Sequence, residues 1–531
     1  FMMESRRRSR VVDTKYGQVA GFRMLKDHSR GVDAFLGIPY AKPPIGHLRF
    51  KKPECPDKWN GVYEAFRHVA RGFQKDSSYV DPELDTKMDE HNLYLNVFTP
   101  TWASVDRGGF PVTVYVHGGA FVCGGAERYG DESICRHLVT KDVVVVTIQY
   151  RLGYLGFYST GDSVCPGNLG LWDQTAALQW IQDNIAAFGG DKDNVTVIGH
   201  SAGAACVEFL SLSPHSNCLF SKMCILGGSA FARWALAPET VDNCRRMAEK
   251  LGVHEEDSAR RIDRLREVPA EEFSVAINLS DSNGHMALDV SPVLDGDFLP
   301  GKTVAELREK APLKPTIIGI CKQEGTLFAS AAPVRPEGIQ HLVERMIPVE
   351  GRQEHLQDLL ILYLKGPSPD SDNGQDLRRA FIEAFSDKMF NIPLMQHISA
   401  CLALSQKPPL FSFQFDIYNA SSIGPLANLL AIQEATHGTE IMYLLGKSIF
   451  HAPYSLTNED IRIVDIFTST FSNFAKSGNP NGEGNDETEW KSVTGEQPEL
   501  HLVFNSDGTR RMAESFFDGR IRKWMRALKE S

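Results

Sequence analysis

The sequence predicts an α/β fold with one large, mostly parallel central sheet that carries helices on both faces. Two observations support this prediction. Residues 111–116, 143–149 and 195–198 are β-branched or apolar runs, and the helix-prone segment 176–188 lies between the second run and the third. In addition, residues 143–149 are apolar throughout, as expected for a strand that helices cover on both sides. Alternating strands and helices of this kind form parallel βαβ units.

The chain is long for one domain, at 531 residues, yet large α/β enzymes reach this size around one extended sheet. The Gly-, Pro- and Asp-rich stretches 366–376 and 478–489 are short enough to be surface loops, so neither is a linker. We therefore predict one domain over residues 1–531, with a basic N-terminal tail at residues 1–10. No apolar run approaches the ~20 residues that cross a bilayer, and no internal repeat is present.

The composition excludes several classes of partner. A net charge of -11 and a pI near 5.8 argue against nucleic acid and anionic membranes, which reward clustered Lys and Arg. Ten cysteines without a Cys-x-x-Cys pair are too sparse for a disulfide scaffold and make a metal site unexpected.

Further elements follow from local patterns. Strands are expected at 10–22 (an edge hairpin), 90–97, 222–226, 315–320 and 410–418, with a small strand or turn within 490–504. Helices are expected at 239–251, 257–267 and 516–529, together with a helix that Asn458 caps and Gly478 ends.

A serine lies at the apex of a strand-turn-helix pattern. Residues 199–203 read Gly-His-Ser-Ala-Gly, directly after the β-branched run 195–198 and before an apolar-periodic helix. Such a turn forces its serine into a strained backbone conformation and exposes the hydroxyl, while the glycines allow strand and helix to approach closely. The short pattern also occurs by chance in loops, but its setting here indicates a nucleophile at Ser201.

A second glycine-rich turn, His-Gly-Gly-Ala at 117–120, follows the strand 111–116. The turn could be a simple chain reversal. The functional interpretation is that the backbone N–H groups of Gly119 and Ala120, with that of Ala202, form an oxyanion hole. His117 is then a scaffold residue of that loop.

A serine hydroxyl needs a base, and the base needs a carboxylate that fixes its tautomer and balances its charge. Glu324 and His437 complete the order nucleophile, acid, base along the chain. Glu440 is the rival acid, and a structural histidine is the alternative for His437. With His437 as the base, kcat/KM should rise with pH through one step near 6–7.

At this point the chain resembles the type-B carboxylesterases, which include the cholinesterases and the catalytically silent neuroligins. The shared segments are Phe-Leu-Gly-Ile-Pro-Tyr-Ala at 35–41, Leu-Tyr-Leu-Asn-Val at 93–97, His-Gly-Gly at 117–119, Gly-Leu-Trp-Asp-Gln at 170–174, Glu-Gly-Thr at 324–326, Thr-His-Gly at 436–438 and Gly-Asn-Pro at 478–480. The resemblance implies an α/β-hydrolase fold and an acyl-enzyme mechanism on small-molecule carboxylic esters, without a cofactor or metal. It also implies ion pairs between Arg49 and Glu90 and between Arg151 and Asp173, and it places Trp234 on the acyl side of the pocket.

Departures from the family pattern refine these expectations. The family has a deep gorge that leads to the serine, and it usually has an acidic residue at the position of His200. His200, as a pocket residue, should therefore weaken the negative field inside this gorge. The tryptophan that cholinesterases present to a quaternary ammonium has no counterpart between Gly72 and Asn92, which argues against a cholinesterase.

The same resemblance bears on location. The family's disulfide at the positions of Gly72 and Asn92 is missing, and this favours a cytoplasmic protein. The secretory pathway is the alternative if a signal segment precedes Phe1, and the sequons at Asn194, Asn278 and Asn419 point that way.

The sequence thus predicts a serine carboxylesterase. A non-enzymatic interaction protein or ligand carrier on the same scaffold is the alternative from another class, and an acyltransferase or amidase is the alternative within the same chemistry. The residues leave the substrate and the oligomeric state open.

Overall fold

A computed structural model describes residues 7–25, 30–75, 87–277, 288–328, 334–349, 352–364, 373–447, 456–482 and 488–530. The sequon at Asn278 and much of the two loops expected at 366–376 and 478–489 lie outside these ranges. Within them, no helix combines the length and the apolar character that a bilayer span requires.

The described residues form one 13-stranded sheet. Its strands are β1 (Arg8–Thr14), β2 (Gly17–Met24), β3 (Val32–Pro39), β4 (Val62–Glu64), β5 (Tyr94–Pro100), β6 (Phe110–Val116), β7 (Val144–Ile148), β8 (Gly190–His200), β9 (Lys222–Leu226), β10 (Thr316–Cys321), β11 (Leu410–Phe415), β12 (His501–Phe504) and β13 (Arg510–Ala513).

Parallel pairing dominates the middle of the sheet. The strand order is β1-β2-β3-β5-β7-β6-β8-β9-β10-β11-β12-β13, with β4 beside β2. In this spatial order, β7 and the six strands that follow it up to β12 pair in parallel. The neighbours β1-β2-β3-β5-β7 pair antiparallel, and so does β12 with β13. The carboxyl ends of β6, β8, β9 and β10 therefore meet at one edge, which is where parallel sheets place their functional sites.

Helices pack around this sheet. They are α1 (Asp131–His137), α2 (Gly153–Phe157), α3 (Leu169–Asn184), α4 (Ala202–Leu212), α5 (Thr240–Lys250), α6 (Ser258–Leu265), α7 (Val304–Lys310), α8 (Pro336–Glu344), α9 (Arg352–Leu360), α10 (Asn373–Ser386), α11 (Ile392–Leu402), α12 (Ala420–Ile423), α13 (Thr439–Leu445), α14 (Asn458–Ser477) and α15 (Arg520–Glu530). A π-helical turn, Asp387–Asn391, joins α10 to α11.

Two apolar cores lie on opposite faces of the sheet. Along β6, Val114 contributes to one core and Tyr115 to the other, because successive side chains of a strand point to opposite faces. On the second face, Phe467 and Phe471 of α14 pack edge to face against Phe413 of β11, at ring-centroid distances of 5.8 and 6.3 Å. The predicted α/β fold, with helices on both faces of a mostly parallel sheet, is confirmed.

Several predicted boundaries were wrong. The strand expected at 90–97 begins only at Tyr94, and the strand expected at 410–418 ends at Phe415. The helix expected at 176–188 begins at Leu169, and its α-helical part ends at Asn184. The N-cap of α14 is Thr457 rather than Asn458, because the Thr457 hydroxyl accepts a hydrogen bond from the Asp460 N–H in a capping box.

The N-terminal prediction also needs correction. Residues 8–10 of the expected tail belong to β1, where Arg8 pairs with Glu64 at 3.1 Å and Arg10 donates to the Phe188 carbonyl at 2.9 Å. Residues 1–6 lie outside the described ranges. The assignment of the whole chain to one domain stays a prediction.

The two ion pairs implied by the resemblance are present. Arg49 Nε lies 2.5 Å from Glu90 Oε1, and Arg151 makes two 2.7 Å hydrogen bonds to the carboxylate of Asp173. All four side chains are buried. In the second pair, Arg151 follows β7 and Asp173 lies within α3.

The two positions that replace the family's disulfide are neighbours in space. A Cβ built on Gly72 would lie 2.7 Å from Nδ2 of Asn92, whose amide donates to the Tyr150 carbonyl at 3.0 Å. A hydrogen-bonded amide thus occupies the space of the missing bridge. All ten cysteines of the chain are free thiols, and the cytoplasmic location stays a prediction.

Candidate active site

Ser201 lies between β8 and α4 in a strained backbone conformation. Its φ of 59° and ψ of -124° are unfavourable for a residue with a side chain, and the turn is held by the Ser201 N–H, which donates to the Leu226 carbonyl at 2.8 Å. A Cβ on Gly203 would lie 2.2 Å from the Val116 carbonyl oxygen, so this position requires glycine. The turn therefore has the geometry of a nucleophile elbow, with Ser201 half-buried above the sheet.

The predicted base and acid are hydrogen-bonded to each other. His437 Nδ1 lies 2.6 Å from Glu324 Oε2, and Glu324 Oε1 accepts a second hydrogen bond from the Cys321 N–H at 2.7 Å. Glu324 lies three residues after the end of β10, whereas His437 reaches the site from the segment between α12 and α13. Both side chains are buried.

Two consecutive glycines after β9 bring the serine and the imidazole together. A Cβ on Gly227 would lie 3.3 Å from the His437 ring and 3.4 Å from Glu324 Oε1. A Cβ on Gly228 would lie 2.3 Å from the carbonyl oxygen of Ser201. The turn Gly227–Gly228 is thus a common neighbour of Ser201 and of the His437–Glu324 pair. The predicted nucleophile, base and acid, far apart in sequence, therefore meet at one edge of the sheet.

The predicted oxyanion donors lie beside the serine. A Cβ on Gly118 would lie 2.9 Å from Ser201 Cβ, which places the loop after β6 against the nucleophile. Gly119 and Ala120 both have positive φ, 114° and 53°. Within the described part of the chain, the N–H groups of Gly119, Ala120 and Ala202 donate to no other residue. Since nearly all buried backbone N–H groups have acceptors, three free donors near one hydroxyl suit a developing oxyanion.

Rings enclose His437 on several sides. Phe390 and Phe328 lie 4.9 and 5.1 Å from the imidazole between ring centroids, and His200 lies 4.6 Å away. His437 is only 3 % exposed. The enclosure orients the imidazole and removes water from it.

His200 is buried behind the imidazole. Its Nε2 has no hydrogen-bond partner among the described residues and lies 3.6 Å from Oε1 of Glu440, whose Oε2 accepts from the Cys321 thiol at 2.9 Å. The rival acid Glu440 is therefore turned towards His200 and Cys321, whereas Glu324 bonds to His437. The predicted role of His200 in the substrate pocket stays a prediction.

Burial controls the charges of this cluster. Desolvation lowers the pKa of His437 to about 3 and raises that of Glu324 to about 8, although the Cys321 N–H opposes the second shift. Desolvation also raises the pKa of Glu440 to about 8 and holds that of His200 well below its usual value. All four shifts favour neutral side chains, so His437 is a neutral base before the reaction delivers a proton to it.

Trp234 lies in an apolar wall next to the oxyanion loop. Its indole N–H donates to the Met389 carbonyl at 2.9 Å, and its ring lies 6.1 Å from Phe121 and 6.2 Å from Phe390. We name Phe121, Trp234, Met389 and Phe390 the acyl-side wall. The wall reaches His437 through Phe390, so the aromatic surface is continuous with the triad.

Sequence reasoning missed several residues of this site. Phe328 and Phe390, which cover His437, lie in segments where no element was predicted. The contact of Gly227 with the His437–Glu324 pair was also missed, although two successive glycines at the end of a predicted strand are a signal of close backbone approach.

A mostly parallel sheet with a strained serine elbow, a buried acid–base pair and free N–H donors defines the chain as an α/β-hydrolase. The sequence matches the carboxylesterase family over residues 8–524, and the chain belongs to that family.

Its relatives include enzymes and neuroligins. The chain is 36 % identical to Esterase cest-33 of Caenorhabditis elegans, over 92 % of this chain and 89 % of that protein. It is 33 % identical to Pyrethroid hydrolase Ces2a of Mus musculus, over 90 % of this chain and 85 % of the relative. It is also 30 % identical to human Neuroligin-2, over 89 % of this chain but only 61 % of that protein.

The different contacts of the two glutamates give a first prediction. Glu324→Gln should lower kcat for a p-nitrophenyl ester about 10⁴-fold, because an amide at this position no longer stabilises the imidazolium. Glu440→Gln should lower kcat less than about threefold, because Glu440 faces Cys321 and His200 and makes no hydrogen bond to His437. Steady-state kinetics of both purified variants measure these effects, and comparable losses in the two would contradict the assignment of Glu324.

The enclosure of His437 predicts the pH dependence. Neutral His437 is the active form of the base, and burial favours that form, so more acid is needed to protonate it. The acid limb of kcat/KM should therefore have its midpoint below 6.5, lower than the step near 6–7 expected from the sequence.

Phe390→Ala is the matched variant for this pH measurement. It admits water to the imidazole and should move the midpoint up towards 6.5. A parent midpoint above 6.5, or one that Phe390→Ala leaves unchanged, would contradict this account of the base.

Proposed function

We propose that this protein is a serine carboxylesterase that hydrolyses small-molecule carboxylic esters through an acyl-enzyme. The observation that carries the proposal is the hydrogen-bonded His437–Glu324 pair, which has the turn Gly227–Gly228 as a common neighbour with the strained Ser201. A scaffold with no catalytic task gains nothing from a buried histidine and glutamate directed at a strained serine, and both cost desolvation energy.

The reaction proceeds in two halves. Ser201 Oγ bonds to the ester carbonyl carbon while its proton passes to His437 Nε2, and the carbonyl oxygen becomes an oxyanion. The bond to the alkoxy group then breaks, and His437 returns the proton to the departing alcohol. Water attacks the acyl-enzyme in the same way, its proton passes through His437 to Ser201, and the carboxylic acid leaves.

The surroundings lower the barrier at two points. The N–H groups of Gly119, Ala120 and Ala202 stabilise the oxyanion, and one such donor is worth roughly 10²–10³ in kcat. Glu324 stabilises the imidazolium at the moment it forms. Because the site is shielded from water, both interactions are stronger than they would be in bulk solvent.

The pocket favours neutral esters with an apolar acyl group. The acyl-side wall is apolar, and the neutral His200 adds no negative charge that would attract a cationic substrate. Relatives whose names describe an esterase and a pyrethroid hydrolase agree with this class of substrate. The likeness to neuroligin-2 raises the alternative of a purely adhesive role. The retained serine, histidine and glutamate weigh against that role.

Labelling with a fluorophosphonate tests the proposal. The parent protein should be phosphonylated at one serine and lose esterase activity in step, because the phosphonate mimics the tetrahedral intermediate. Ser201→Ala should lose the label and nearly all turnover. Ser506→Ala should retain both, because Ser506 is exposed and bonds to Asp416 and Tyr418. Full activity in Ser201→Ala, or no labelling of the parent, would refute the proposed function.

A further inference from the structure

A second buried acid–histidine pair lies behind the acyl-side wall and takes no part in the triad. Glu208 lies two turns into α4, the helix that begins at the nucleophile, and His397 lies on α11. His397 Nδ1 is 2.7 Å from Glu208 Oε1, and both side chains are 0 % exposed.

The other oxygen of Glu208 binds the loop that leads to the wall. Glu208 Oε2 accepts from the Ser229 hydroxyl and from the Ala230 N–H, each at 2.8 Å. This loop begins at Gly227 and Gly228, which touch the triad, and it ends at Trp234. One carboxylate therefore fixes the middle of the segment that joins the triad to the wall.

His397 connects the same carboxylate to the other half of the wall. The π-helical turn directly before α11 carries Met389, whose carbonyl accepts from Trp234, and Phe390, which covers His437. His397 Nε2 also lies 3.5 Å from the Cys401 thiol, one turn further along α11. The pair thus joins the two segments that face each other across Trp234.

The surroundings of both partners favour the charged form despite their burial. Burial raises the pKa of Glu208, but the charge of His397 and the hydrogen bonds from His397, Ala230 and Ser229 outweigh it, so that pKa is lowered. Burial also disfavours the His397 imidazolium, yet Cys401 and Glu208 raise its pKa to about 10. A fully buried ion pair contributes little net stability compared with a well-packed apolar pair. What Glu208 and His397 provide, and two leucines in their place would not, is a set of directional hydrogen bonds.

We propose that Glu208 and His397 are positioning residues that determine specificity. They fix the acyl-side wall and thereby limit the length of the acyl chain that the enzyme accepts. This inference rests on the proposed function. The pair acts through Ser229–Ala230 on Trp234 and through α11 on Met389 and Phe390. The chemical step itself does not depend on the pair, because neither residue touches the triad.

The decisive variant is the double substitution Glu208→Leu with His397→Leu. Replacing both members by apolar residues of similar size avoids an unpaired buried charge, so the protein should remain folded. Leucine cannot accept from Ser229 or Ala230, so the loop to Trp234 is released. The ratio of kcat/KM for p-nitrophenyl octanoate to that for p-nitrophenyl acetate should rise about 10-fold, while kcat for the acetate stays within about threefold of the parent.

The matched control replaces another ion pair by leucines, one whose carboxylate is buried and whose guanidinium is partly exposed. Arg23 and Asp33 pair at 2.7 Å on β2 and β3, and Asp33 is fully buried. Arg23→Leu with Asp33→Leu should leave the octanoate-to-acetate ratio unchanged, whatever its effect on the melting temperature. An equal change of the ratio in both double variants would show a general effect of core repacking and would overturn the proposal.

Ser229→Ala provides an independent test that keeps both charges. It removes one of the hydrogen bonds that Glu208 Oε2 accepts, so the ratio should rise in the same direction by about threefold. A ratio within twofold of the parent in both Ser229→Ala and a folded leucine double variant would overturn the proposal. A parent protein that neither hydrolyses the acetate nor reacts with a fluorophosphonate would instead refute the proposed function, so the two failures are distinguishable.

Discussion

The structure depends on a close approach of backbones around the strained residue Ser201. Gly118 and Gly228 lie so near this residue that added Cβ atoms would come within 2.9 Å of Ser201 Cβ and 2.3 Å of its carbonyl oxygen. The strain is maintained because the parallel strands β6, β8 and β9 end together at this edge of the sheet, and each contributes one glycine-rich turn.

Burial provides the second constraint. His437, Glu324, Glu440 and His200 share one buried cluster in which desolvation disfavours charge on every member. A base kept neutral is ready to accept a proton, and an acid already in contact with it needs no reorganisation to stabilise the imidazolium. In the ion pair of Glu208 and His397 the charged forms are favoured instead, because several donors surround Glu208. We assign the chemical role to the first cluster and the positioning role to this pair.

Local patterns predicted those parts of the fold that local physics determines. The β-branched strands, the elbow turn and the edge hairpin follow from periodicity and from glycine placement. The position of Glu324 after β10 pointed to the glutamate that contacts His437, and its role as the acid stays a prediction. The N-cap of α14 was misassigned because the capping box depends on the spacing of Thr457 and Asp460 rather than on one favourable residue.

Other features were beyond the reach of pattern reasoning because they arise from contacts distant in sequence. Glu208 and His397 are 189 residues apart, and each one alone looks like an ordinary polar residue of a helix. The cover of His437 by Phe390 depends on a π-helical turn, which has no simple sequence signature. A hydrogen-bonded amide in the space of a disulfide likewise becomes visible only when Gly72 and Asn92 are seen together.

A crystal structure of the protein after reaction with a fluorophosphonate would test the central claim most directly. The account predicts a covalent bond from Ser201 Oγ to phosphorus, with the phosphoryl oxygen about 2.7–3.1 Å from the backbone nitrogens of Gly119, Ala120 and Ala202. It also predicts that His437 Nε2 lies within hydrogen-bonding distance of Ser201 Oγ. A phosphonate on another residue, or a phosphoryl oxygen directed away from these three N–H groups, would contradict it.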